Sequence, residues 1–256
     1  MIPKRQGNPA DMFPSLYHAH HSLHMADLPF WLQLAQQSPG PILELGCGTG
    51  RVLLPLGTAD YRMFGLDLDL EMLRFCARQF SPGIQAHVHL FQADMSQFRL
   101  DLRFGLIMLP CNTLSTLPPA TLERMLACVQ EHLLPDGFFA ASLPNPTLIL
   151  RLPKQAGAEI EEIFPHPLDG EPVQVSSAWE RDEGFFNVSW TYDHLLPDGQ
   201  VERLETSIQH QLYPAGYYLE KLSAAGFNQI QEYGDFDLAP YRKNSPSLIF
   251  VARRAN

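Results

Sequence analysis

Between residues 42 and 143 the chain alternates short apolar runs with longer stretches whose apolar positions recur every three or four residues. The runs at 42–45, 61–66, 86–92, 104–109 and 138–143 read as strands, and the stretches at about 50–58, 69–80 and 119–134 as helices. Two further strands, near 228–233 and at 247–252, follow a helix that begins after Pro214 and stops at Gly226. Apolar runs of this kind suit strands covered on both faces, so the order predicts an α/β fold with a doubly wound, mostly parallel seven-stranded sheet. Ahead of it, residues 11–37 read as two helical stretches split near Asp27, whose side chain is placed to cap the second.

After Pro144 the pattern changes. The proline-rich stretches 142–153 and 164–172 read as loops or short helices. Apolar residues then alternate with polar ones over 173–179, 186–192 and 204–212, which predicts three antiparallel strands joined by turns at 181–184 and 196–200. The pentapeptide LLPDG occurs at 133–137 and 195–199 and reads as shared turn chemistry. The expectation is one domain over 1–256, with N-terminal helices (1–40) over a cleft and an insertion at 144–213.

A length of 256 residues with 45% hydrophobic content is enough for a sizeable core, and a formal charge of −10 argues against a nucleic-acid surface. The basic pairs Lys4–Arg5 and Arg253–Arg254 read as solvated ends. No apolar run approaches the roughly 20 residues of a membrane span, and no signal-peptide core is visible, so a cytoplasmic protein is expected. Cys47, Cys76, Cys111 and Cys128 lack C-x-x-C spacing and read as reduced, mostly buried side chains.

The chemistry concentrates in ILELGCGTGR, residues 42–51. Gly46, Gly48 and Gly50 let the backbone turn tightly and approach a ligand, and Glu44 sits in the strand just before them. A nucleoside is the expected occupant. Asp67, at the end of the second strand, can accept both hydroxyls of a ribose; it can equally cap the next helix, as can Asp69. Asp94, between Ala93 and Met95 at the end of the third strand, can accept an adenine amine or serve as a plain turn residue. Leu109 to Asn112 border the same crevice.

In order and spacing, Glu44, Gly46, Gly48, Gly50, Asp67, Asp94 and Met95 resemble the class I S-adenosylmethionine-dependent methyltransferases, strongly over about 40–143. The resemblance extends to small-molecule members with antiparallel strands over the cleft, such as the glycine and amino-sugar N-methyltransferases. It implies a Rossmann-like fold and S-adenosyl-L-methionine as cofactor, with Glu44 near the methionine amine, Asp67 at the ribose and Asp94 at the adenine. Cys47, Arg51, Leu68, Met72, Ala93 and Leu109 complete the implied cofactor set.

The acceptor side is less defined. Tyr17 is the candidate catalytic residue, against a packing tyrosine, while Asn112 and His210 are candidate substrate contacts, against a loop residue and a core histidine. His20 and His24 could share a helix face, but no carboxylate motif accompanies them and no metal is expected. Aromatics from Trp179 to Tyr218 suit a pocket wall or a core, and Asp235, Asp237 and Tyr241 lie on a loop that could help close the cleft. The function expected is methyl transfer to nitrogen or oxygen of a small-molecule acceptor, with a homodimer left open. The alternatives are a non-catalytic nucleotide-binding module and a methyltransferase for a macromolecule.

Overall fold

In the computed structural model, which describes residues 9–59 and 61–254, the apolar runs become the inner strands of a sheet covered on both faces. Its strands are β1 (Ile42–Leu45), β2 (Met63–Asp67), β3 (Val88–Gln92), β4 (Phe104–Leu109), β5 (Leu133–Pro144), β10 (Phe227–Tyr233) and β11 (Ser247–Arg254). They are ordered β10-β11-β5-β4-β1-β2-β3, with β11 antiparallel to both neighbours and the rest parallel. The order reverses beside β1, which has β2 on one side and β4 on the other. In such sheets a crevice opens outside the carboxyl ends of the strands that flank the reversal.

One face is covered by α2 (Leu28–Gln36), α3 (Leu53–Thr58) and α4 (Leu70–Arg78), whose Trp31, Leu53, Leu56 and Leu73 pack on Ile42, Met63 and Leu106. The other is covered by α6 (Pro119–His132) and α8 (Ala215–Ala224), whose Leu122, Met125, Val129 and Leu222 pack on Leu43, Ile107 and Phe139. Burying each such side chain stabilises the fold by roughly 1.5–3 kcal/mol. The short helices α5 (Pro82–Gln85) and α7 (Pro146–Ile149) connect strands at the margins.

Between α7 and α8 the chain forms a second, antiparallel sheet: β6 (Gln155–Pro165), β7 (Pro172–Arg181), β8 (Phe185–Leu195) and β9 (Val201–Gln211), in that order. Helix α1 (Pro9–His21) packs on it, with Leu16 against Phe164, Val173, Val175 and Tyr192. Three of these strands match the sequence expectation; β6 was not expected. It is an edge strand whose pairing with β7 shifts register twice, and its Ile160 and Ile163 are exposed, so no period-two pattern marks it.

Three local expectations are corrected. The first LLPDG is the irregular start of β5 rather than a turn, because α6 ends at His132 and Leu133 pairs at once with Phe104; the second copy does turn, between β8 and β9. Asp27 makes no side-chain cap on α2. Arg253 and Arg254 belong to β11: Arg253 lies over the Phe138 ring and Arg254 donates to the Leu133 carbonyl. Lys4–Arg5 lies outside the described residues. Cys47 and Cys76 are buried, whereas Cys111 is exposed. No described helix is long and apolar enough to cross a membrane.

Candidate active site

The crevice is built first by backbone. Gly46, Gly48 and Gly50 all adopt left-handed φ, +65°, +52° and +87°. Gly50 is held by close packing: a Cβ there would meet Cys76 Sγ at 2.6 Å and Leu54 Cγ at 2.9 Å. Gly48 instead faces open space, with Asp67 Oδ2 at 4.0 Å as the nearest neighbour of a hypothetical Cβ. One glycine lets the loop dock on the helices, and the other leaves room for a ligand.

Carboxylates frame this room. The Asp67 Oδ2 accepts from the Gly48 N–H at 2.7 Å and Oδ1 from the Asp69 N–H at 2.9 Å, which ties the glycine loop to the end of β2. Burial pushes the Asp67 carboxyl up, against the pull of those backbone donors. Capping of α4 falls to Asp69, which accepts from the Glu71 and Met72 N–H groups. Glu44 is almost fully buried and its Oε2 has no hydrogen-bond partner; burial raises its carboxyl well above the usual range. An unpaired buried carboxylate oxygen is costly, so this one marks a place where a donor group belongs.

Other expected residues fall into separate groups. Met95 reaches the glycine loop, its Cε 3.5 Å from the Cβ position of Gly46, and the Ala93 N–H donates to the Asp67 carbonyl. Leu109 is buried at the end of β4, Met72 is buried on α4, and Leu68 is exposed at the rim. Cys47 packs with Leu53 and Cys76, so only its backbone borders the crevice. The Asp94 carboxylate accepts from Ser96 N–H and Gln97 Nε2, bonds that hold it below the usual range. These bonds give Asp94 the geometry of a turn residue.

Arg51 holds a position that the sequence did not reveal. Its guanidinium donates twice to Asp27, at 2.6 Å each, and also to the His24 carbonyl and to Cys111 Sγ. Asp27 in turn accepts from Trp31 Nε1. The result is a bidentate clasp between the segment joining α1 to α2, the loop after β1 and the loop after β4. On that last loop Cys111 and Asn112 both adopt left-handed φ, 59° and 63°; the asparagine, tolerant of this region, was the available signal.

Helix α1 spans the crevice and the second sheet. His18 Nδ1 shares a hydrogen bond with Thr49 Oγ1 at 3.0 Å, and His20 Nδ1 with the Tyr192 hydroxyl at 3.1 Å. Tyr17 lies edge-on to His21, ring centroids 4.0 Å apart, and His21 to Trp190 at 6.3 Å. Burial raises the Tyr17 phenol, with Cys111 and Tyr192 acting in the same direction, and pulls His21 down to about 3. His210 Nδ1 pairs with Ser115 Oγ at 2.8 Å, and Ser115 donates to the Asn112 carbonyl. Burial lowers His210 to about 4, so it is a neutral, satisfied histidine that props the Asn112 loop.

Comparison with known proteins agrees with this geometry. Residues 42–137 match the methyltransferase domain family. The Bacillus subtilis protein YqeM, provisionally named a methyltransferase, is 24% identical over 88% of both chains. An S-adenosylmethionine-dependent methyltransferase structure from Clostridium acetobutylicum shares the fold, with a TM-score of 0.78, 16% identity and coverage of 95% of this chain and 99% of that one. So does the sugar N-methyltransferase KedS8 from Streptoalloteichus, with a TM-score of 0.72, 19% identity and coverage of 100% and 96%. Residues 42–137 therefore match a methyltransferase domain, and the whole chain shares its fold with solved S-adenosylmethionine-dependent methyltransferases.

Proposed function

We propose that this enzyme transfers a methyl group from S-adenosylmethionine to a nitrogen or oxygen of a small-molecule acceptor. The observation that carries the cofactor side is the unpaired, buried Glu44 Oε2 beside the open Gly48 cradle. The residues fit this cofactor: Glu44 suits its ammonium group, the loop 46–50 its main chain, and Asp67 its ribose hydroxyls. Asp94 accepts one hydrogen bond on each oxygen and keeps lone pairs free for an adenine amine. When bound, the cofactor supplies an electrophilic methyl with its leaving group already in place.

The chain then has to orient the acceptor and exclude water. Tyr17, His21 and Trp190 form an aromatic series from α1 to the second sheet, and Asn112 lies on the loop after β4. His21 and His210, both neutral at physiological pH, add no charge, which suits an uncharged nucleophile. Tyr17 is the residue we assign to the acceptor, on the strength of its burial and its ring contact with His21. A small acceptor is supported by the enclosure that α1 and the second sheet provide, by the absence of clustered Lys and Arg in a chain of charge −10, and by the likeness to a sugar N-methyltransferase.

Isothermal titration with S-adenosylmethionine and S-adenosylhomocysteine tests the cofactor; absence of heat with folded protein rejects it. Incubation with a tritium-labelled methyl donor then compares amino-sugar nucleotides and small amines or alcohols with RNA and protein. Label in the macromolecules alone overturns the acceptor class.

A further inference from the structure

The sequence showed no metal motif, but the structure assembles one away from the cofactor crevice. His166 follows β6, Asp169 lies in the hairpin between β6 and β7, and His194 lies near the end of β8, at the opposite end of that strand from Phe186. Their ligand atoms lie within 4.8 Å of one another. His166 Nδ1 is 3.1 Å and His194 Nε2 3.2 Å from the same Asp169 oxygen, Oδ1. Both imidazoles are buried and the carboxylate is exposed, so the cluster has a polar mouth and a dry back.

A fourth residue separates this arrangement from an ordinary hydrogen-bonded histidine. On β9, Glu202 pairs directly with His194 and brings its Oε2 to 3.4 Å from His194 Nδ1. His194 therefore has a carboxylate on each ring nitrogen, yet a neutral imidazole has only one N–H to give. A second ring proton would satisfy both carboxylates, and so would a metal cation at Nε2, which takes the Asp169 side while Nδ1–H donates to Glu202. A ligating histidine that donates its other N–H to an outer carboxylate is the usual second shell of zinc-type sites.

We propose that His166, Asp169 and His194 form a site for a divalent transition metal of zinc type, with Glu202 orienting His194. Nitrogen and carboxylate donors suit such ions. The two rings are stacked, with centroids 3.9 Å apart and planes at 15°, so binding turns one ring and draws the Asp169 oxygen off the midpoint between them. The metal would fasten the β6–β7 hairpin to β8 next to Phe164 and Val173, the residues on which Leu16 of α1 rests. Its role is structural and independent of the methyl transfer.

The test is equilibrium dialysis of chelator-treated full-length protein against Zn²⁺, with Co²⁺ as spectroscopic probe. The expected result is one ion bound per chain, a Co²⁺ visible band of low-symmetry nitrogen and oxygen ligation, and a rise in Tm with Zn²⁺. His166→Ala and His194→Ala should each abolish the band, and Glu202→Gln should weaken binding about 10- to 100-fold. His20→Ala with His24→Ala should leave it intact, which separates this cluster from the histidines of α1. Circular dichroism without metal checks that the variants fold; if His194→Ala does not, the more conservative Asp169→Asn must still lower affinity. No stoichiometric binding by the wild type, or binding retained when both His166 and His194 are replaced, overturns the site.

Discussion

The glycine loop and the second sheet meet the same helix but are built in opposite ways. The proposed donor side comes from one decapeptide and the ends of two adjoining strands: Glu44, Gly46, Gly48, Gly50 and Asp67 are set by β1, β2 and the turn between β1 and α3. The proposed acceptor side is assembled from single residues on α1, the loop after β4, β8 and β9. Backbone geometry dominates the first and side-chain packing the second. On the proposed reading, donor recognition is a local property of this chain and acceptor recognition a tertiary one.

The largest expected effect tests how the two regions are joined. Asp27→Ala leaves the Arg51 guanidinium without its main partner and Trp31 Nε1 without an acceptor; side-chain exposures of 14% for Arg51 and 9% for Asp27 make that costly. A loss of about 3–5 kcal/mol is expected in urea unfolding. A loss below about 1 kcal/mol would mean that the regions are not clasped here.

Next in size is a pH effect specific to the second sheet. His210 has its folded pKa lowered from 6.5 to about 4, so its stabilising contribution is complete above pH 6.5. As pH falls towards 4 the unfolded chain takes up a proton that the folded one refuses, and about 3 kcal/mol is lost. His210→Asn should remove that component from the stability curve. An unchanged slope in the variant would assign the effect to His21 and the other histidines of α1.

On the donor side, Asp67→Ala should weaken S-adenosylmethionine binding about 10- to 100-fold by calorimetry, with the circular dichroism spectrum preserved. Wild-type affinity in this variant would move the cofactor away from β2. The smallest effect sharpens that result: Asp69→Ala removes the cap of α4, costs about 1 kcal/mol of stability and leaves donor affinity within about twofold. The pair separates a ligand carboxylate from a capping one two residues away.

The same contrast governs what the sequence could reveal. The seven strands, the longer helices and the glycine loop were legible because apolar periodicity and turn glycines are written in neighbouring residues, whereas the four-residue α5 was not expected. β6 was not, because an irregular edge strand with solvent-facing isoleucines carries no alternation. Asp27 looked like a cap because its position fits one; its partner Arg51 lies beyond α2 and β1, where no local pattern reaches. Asp94 could be placed at a strand end, but the direction of its carboxylate depends on Ser96 and Gln97. The His166, Asp169 and His194 cluster draws on one hairpin and a strand beyond it, and its spacing matches no linear motif.

Helix α1 grips Thr49 with His18 and Tyr192 with His20, two residues farther along. A rigid rod held at such closely spaced points cannot let go of one without loosening the other. Any displacement of α1 would thus be felt at the glycine loop and at the second sheet together.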